Sequence, residues 1–186
     1  SPINPAGAVR QSAANFQSSS DRVLDLVSAQ MRQFYFQNND YNNDGFITRD
    51  ETHVAKDGTT ILDKWDLNRD GKASFEEFDK ARSQGASGVN RDSIRRPATR
   101  MWERINTDQN DHLTREEVIA YYISFYDHLD DPRVRNYRER AQRNAVDFFV
   151  KNDSDIDQKM SFSEYEDAYA KQMLSTLTGG PINSPI

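Results

Sequence analysis

In the stretch "DYNNDGFITRDE", Asp40, Asn42, Asp44 and Glu51 hold the first, third, fifth and twelfth places, and Gly45 holds the sixth. Acids and amides on alternate positions suit neither a helix nor a strand. They do suit a hard divalent cation. Ca²⁺ takes about six to eight oxygens at roughly 2.3–2.6 Å in a flexible geometry. Side chains at places one, three and five can converge on one point, and place seven offers a backbone carbonyl. The glutamate at place twelve, on the first turn of the next helix, closes the shell with both oxygens. Place six must turn sharply at positive φ, which glycine does without penalty.

The pattern recurs three times, in "DLNRDGKASFEE" (66–77), "NTDQNDHLTREE" (106–117) and "DSDIDQKMSFSE" (153–164). We number these loops one to four in chain order. Apolar residues flank each at helical spacing: Tyr35 and Phe36, Ile61 and Leu62, Met101 and Trp102, Phe148 and Phe149 before, and Thr52, Phe78, Val118 and Tyr165 after. The expected fold is therefore all-α, with four helix–loop–helix units in two paired lobes. The eighth residues of paired loops should meet as short two-residue β contacts, Ile47 with Ala73 and Leu113 with Met160. Residues 21 to 38 should form the helix leading into loop one. "SQGASGVN" reads as a flexible linker by composition. The expected organisation is a loose tail over 1–20, a first pair over 21–82, a linker over 83–92, a second pair over 93–178 and a tail over 179–186. Only "THVAKDGTTILDKW" separates loops one and two, room for two short helices and a turn at Asp57-Gly58.

These loops resemble those of the EF-hand family, and the resemblance covers most of the chain. Loops one and two satisfy the whole pattern D-x-[DN]-x-[DN]-G-x₅-E. The resemblance implies a ligand set of Asp40, Asn42, Asp44, the carbonyl of Phe46 and Glu51 in loop one, with Thr48 acting directly or through water. In loop two it implies Asp66, Asn68, Asp70, the carbonyl of Lys72 and Glu77, with Ser74 at the water position. Loop four offers Asp153, Asp155, Asp157, the carbonyl of Lys159 and Glu164, although Gln158 replaces the glycine. Loop three offers the weaker set Asn106, Asp108, Asn110, the carbonyl of His112 and Glu117. It lacks the leading acid and has Asp111 at place six, a residue that tolerates the left-handed region better than glutamine. The bound ion is expected to be Ca²⁺, with Mg²⁺ as a competitor. The resemblance implies a sensor or buffer that modulates a protein partner. The alternative is a structural or adaptor module in which Ca²⁺ only stabilises the fold.

The 186 residues carry a formal charge of −6, which argues against nucleic acid as a partner. The absence of cysteine excludes disulfides, thiolate catalysis and Cys-ligated zinc, and three histidines leave little for a His-based metal site. No apolar run is long enough to span a bilayer. Neither a nucleophile–base constellation nor a phosphate-binding glycine loop is visible, so a non-enzyme is expected. The chain begins at Ser1, and the expectation leans towards an exported protein with a processed end, a cytoplasmic one remaining the alternative. Arginines cluster in "RDSIRRPATRMWER" and "PRVRNYRERAQR". They read as a solvated helix face, or else as a docking surface for an acidic partner or anionic lipid.

Overall fold

A computed structural model describes the backbone over residues 5–180 and the side chains from Ser20 onward. Residues 1–4 of the expected first tail and 181–186 of the expected last one lie outside the described residues. The described chain is mostly helical, with seven α-helices and four short strands. Helix α1 runs Pro5–Asn39, so residues 5–20 are helical where a tail was expected. Proline is tolerated at a first helical position, and the Ala, Arg and Gln that follow are good helix formers.

Contacts divide the chain into a first unit, Leu24–Ile94, and a second unit, Ser1–Val23 with Arg95–Ile186. In the first unit, α1 ends at loop one. Strand β1 (Phe46–Thr48), a single 3-10 turn (Arg49–Glu51), helix α2 (Leu62–Trp65), loop two, strand β2 (Lys72–Ser74) and helix α3 (Phe75–Ser83) follow. The strands pair antiparallel with Ile47 opposite Ala73, the expected register. The helix expected after loop one is reduced to that 3-10 turn. The β-branched Thr52 and Val54 disfavour a helix. A single antiparallel bridge joins Val54 to Thr60 instead, around a turn in which Gly58 takes φ +84°. The Asp57 carboxylate accepts from the Thr59 amide at 3.0 Å, and Arg49 Nη2 donates to the Gly58 carbonyl at 2.6 Å. Phe36, Ile47, Leu62, Trp65, Ala73 and Phe78 form the core of this unit. Phe78 is wholly buried, with the rings of Trp65 and Phe36 edge-on at 4.8 Å and 5.5 Å.

The segment expected to be a flexible linker is a hydrogen-bonded turn of the first unit. The Val89 amide donates to the Arg82 carbonyl at 2.7 Å, and Asn90 Nδ2 donates to the Ser83 carbonyl at 3.0 Å. Val89 is buried, and its carbonyl accepts from Arg32 Nη1 at 2.9 Å. Arg32 also pairs with Asp79 at 2.6 Å. Asn90 then caps helix α4 (Arg91–Ile105), its Oδ1 accepting from the Asp92 and Ser93 amides. Serine and glycine looked like flexibility, but a capping asparagine and one buried valine order the turn.

In the second unit, α4 leads into loop three. Strand β3 (His112–Leu113), helix α5 (Arg115–Ser124), helix α6 (Val134–Asn152), loop four, strand β4 (Met160–Ser161) and helix α7 (Phe162–Leu177) follow. Strands β3 and β4 pair antiparallel with Leu113 opposite Met160, again the expected register. Ile105, Leu113, Val118, Tyr122, Ala141, Ala145, Phe149, Met160 and Tyr165 are buried together. Trp102 packs against this core, its ring 5.7 Å from that of Tyr165.

Candidate metal sites

Loops one, two and four share one hydrogen-bonded frame. The leading aspartate accepts two backbone amides from places five and six. Asp40 receives Asp44 at 3.2 Å and Gly45 at 2.9 Å, Asp66 receives Asp70 at 3.1 Å and Gly71 at 2.8 Å, and Asp153 receives Asp157 at 3.3 Å and Gln158 at 2.9 Å. The third residue accepts the same place-five amide, and the fifth accepts the amide of place seven. Short polar side chains thus close turns on their own backbone.

Place six needs a left-handed turn. Gly45 takes φ +86° and Gly71 φ +92°, and in loop four Gln158 adopts φ +65°. A non-glycine residue there costs roughly 1–2 kcal/mol. The Asp153 carboxylate, which holds the Gln158 amide, offsets part of that strain.

The twelfth-place glutamates close each loop onto the helix that follows. Glu51 Oε1 accepts from the Asn42 amide at 3.1 Å, and Glu77 Oε1 accepts from that of Asn68 at 3.0 Å. In loop four, Glu164 Oε1 reaches the Ser154 amide at 2.9 Å, one place earlier. The other oxygen accepts from the ninth-place amide, at Thr48, Ser74, Thr114 or Ser161. In return the backbone amides of Glu77, Glu117 and Glu164 donate to the hydroxyls of Ser74, Thr114 and Ser161, forming reciprocal caps on α3, α5 and α7. Sequence reading missed the capping role of Ser74, Thr114 and Ser161; the signal was the S/T-x-x-E spacing. The backbone amides of Ser74 and Asn68, in that order, hold the Glu77 carboxyl below its ordinary range.

Among the described residues, three carboxylates converge closely in loop four. Ligand oxygens of Asp153, Asp155 and Glu164 lie within 4.8 Å of one another, and Glu164 is buried. Such a set could hold a metal ion. Asp157 is outside it and accepts from the Lys159 amide at 2.8 Å. In loops one and two, asparagine takes the third place, so amide oxygens stand where loop four has Asp155. Asp40 is buried while Asp44 is exposed, and Glu51 is intermediate. Phe46, Lys72 and His112, the expected carbonyl donors, open β1, β2 and β3, and Lys159 stands just before β4.

Loop three departs from this frame. Buried Asn106 donates its side-chain amide to the Asn110 carbonyl at 2.7 Å, and its Oδ1 has no hydrogen-bond partner. Asp111 does not take the left-handed conformation expected at place six, and Gln109 alone in this loop has positive φ. Asn106 gathers neither of the amides that the leading aspartates hold, its side chain being turned to the Asn110 carbonyl instead, and the sixth place is not drawn round. Asp108, Asn110 and Glu117 keep the remaining bonds, with Asp108 Oδ1 accepting the Asn110 amide at 3.2 Å and Glu117 Oε1 accepting that of Asp108 at 3.4 Å. His112 Nδ1 lies 2.8 Å from Asp111 Oδ1, which holds the Asp111 carboxyl below its ordinary range.

The donors in all four loops are oxygens, without thiolate or imidazole. That chemistry favours hard cations such as Ca²⁺, Mg²⁺ or Mn²⁺ over zinc or copper. Among the described residues, no helix is long and apolar enough to cross a membrane.

No family model matches the chain, and no curated protein matches it. Among the solved structures that align with it, two illustrate how low the similarity is. The C-terminal domain of PF110239 gives a TM-score of 0.29 at 16% identity, over 91% of this chain and 99% of that one. A redox protein from Chlamydomonas reinhardtii gives a TM-score of 0.30 at 15% identity, over 100% of this chain and 58% of that one. Neither likeness is close enough to bear on fold or function.

Proposed function

We propose that this chain is an EF-hand calcium-binding protein, a sensor or buffer that takes Ca²⁺ through its twelve-residue loops and modulates a protein partner. The observation that carries this reading is the shared frame of loops one, two and four, in which the leading aspartate gathers the amides of places five and six and the twelfth-place glutamate accepts an amide from the start of the loop. The carbonyls of Phe46, Lys72 and Lys159 would complete the oxygen shells. Glu51→Gln and Glu77→Gln each remove a charged, bidentate ligand, so each should weaken Ca²⁺ at its own loop tenfold or more (about 1.4 kcal/mol). Calorimetry with Ca²⁺, and separately with Mg²⁺, tests this. Unchanged isotherms for both variants would sink the assignment of these loops.

Charge counting makes loop three the weakest site, since only Asp108 and Glu117 are charged among its candidate ligands. The double variant Asn106→Asp with Asp111→Gly restores the leading carboxylate and frees the turn at place six. It should gain a site, or tighten a weak one, without altering the other loops. Amide NMR during a Ca²⁺ titration reads this directly. A wild-type loop three that fills as tightly as loop one would show that loop pairing, rather than charge, sets affinity.

One observation favours the second reading, a structural or adaptor module. The loops of each unit are tied together through β1–β2 and β3–β4, so an ion in one loop would stiffen its neighbour. Apolar-dye binding separates the two readings. A sensor exposes new apolar surface when Ca²⁺ is added, whereas a structural module does not.

A further inference from the structure

Glu166 lies two residues beyond Glu164 on α7, and the two carboxylates serve different partners. Successive helical residues are rotated by about 100°, so these two side chains leave the helix on nearly opposite sides. Glu164 turns to loop four, accepting from the amides of Ser154 and Ser161. Glu166 is 1% exposed, and Arg95 forks onto it, Nε to Oε2 at 2.9 Å and Nη2 to Oε1 at 2.8 Å. Ser20, itself buried, donates its hydroxyl to Glu166 Oε1 at 2.6 Å. Arg95 Nη2 also reaches Asp21 Oδ1 at 2.6 Å. Three segments of the second unit therefore meet at one buried carboxylate: α1 at Ser20–Asp21, α4 at Arg95 and α7.

Stability alone is a poor account of this network. Well-packed apolar residues in place of a buried ion pair are often as stable or more so, whereas a bidentate fork demands one geometry. The demand here is for register, because the fork closes on Glu166 at only one setting of the start of α7 against α4.

We infer that Arg95, Glu166 and Ser20 form a latch that couples loop four to the Ser20–Val23 segment of α1. The coupling rests on the proposal that loop four takes a cation. An ion that draws Glu164 into loop four fixes the first turn of α7, and Glu166 stands two residues on, where the next turn begins. In the ion-bound protein the fork is held closed and Ser20–Val23 is pinned. In the ion-free protein the first turn is freer, and so is the segment. Linkage is reciprocal, so breaking the latch weakens the ion at loop four by the factor through which the ion strengthens the latch.

The test uses the full chain. Amide exchange at residues 20–23 is measured with and without Ca²⁺, and Ca²⁺ affinity is followed separately at the Gln158 amide of loop four and the Gly71 amide of loop two. In the wild type, Ca²⁺ should slow exchange at 20–23 about fivefold or more. Glu166→Gln should shrink that slowing and weaken Ca²⁺ at Gln158 by a matching factor, with Gly71 unaffected. Ser20→Ala removes a single hydroxyl and should do the same to a smaller degree, which keeps the test available should Glu166→Gln fail to fold. A Gln158 amide indifferent to Ca²⁺ overturns both the ion at loop four and the latch that depends on it. A responsive Gln158 with unchanged affinity in both variants overturns the latch alone, leaving Arg95–Glu166 as a purely structural pair.

Discussion

Phe78→Ala is expected to cost the first unit about 3–5 kcal/mol, the range for truncating a buried phenylalanine. Phe78 has no exposed surface, and it is the ring against which both Trp65 and Phe36 rest. Six buried residues make up this core, so little remains to close the cavity. The chain offers its own reporters, since Trp65 lies in the first unit and Trp102 in the second. Denaturant unfolding of single-tryptophan forms, with Trp102→Phe or Trp65→Phe as the background, follows each unit separately. The Trp65 signal should shift by most of the unit's stability. A loss below about 1 kcal/mol would mean that the surroundings collapse into the space, and that Phe78 is not the centre of the core.

Chelation should produce the second large effect. A ligand that binds only the folded state stabilises it by about 2.7 kcal/mol per site at a hundred times its dissociation constant. Removing the ion also leaves like charges facing one another. The oxygens of Asp153, Asp155 and Glu164 lie within 4.8 Å, and carboxylates so close repel when no cation lies among them. Melting at low salt should therefore fall by many degrees on addition of EDTA, at both tryptophans, and recover with excess Ca²⁺. Coincident melting curves with and without chelator would remove the metal from any account of this fold's stability.

What could be read in the sequence was mostly local. Twelve-residue spacing located the four loops, and the eighth-place residues gave the register of Ile47 with Ala73 and of Leu113 with Met160. The loops follow from side chains bonding to backbone a few residues away, and the register from the repeat itself, which gives each loop the same strand position to offer its neighbour. The exit from loop one was less legible, because Thr52 to Thr60 settled into a bridged turn where helical spacing had suggested a helix. At Asp111, residue preference pointed to a left-handed turn. The structure depends instead on whether the leading side chain, five residues earlier, can gather two amides, and Asn106 does not. The arginines were read as a solvated face or a docking surface. Arg95 is neither, since its partner Glu166 stands 71 residues away, and nothing local announces a pairing that folding alone creates. Arg135, by contrast, keeps to its own helix and pairs with Glu139 one turn on.

The turn before α4 has a consequence for the protein's life among proteases. Its Gln, Gly, Ala and Ser composition resembles that of loop tips where chains are preferentially cut. A protease must draw its target out into an extended strand. Here that would break the Val89 to Arg82 bond, expose Val89 and release Asn90 from the start of α4. The turn also leaves no room for variation at Gly88, where an added Cβ would lie 2.5 Å from the Gln84 carbonyl oxygen. Gly88→Ala would force the backbone apart, and cleavage by a broad-specificity protease would then begin between Ser83 and Asn90. A stretch that reads as a flexible linker is tied down by its fold, and one methyl group at Gly88 is expected to open it to cutting.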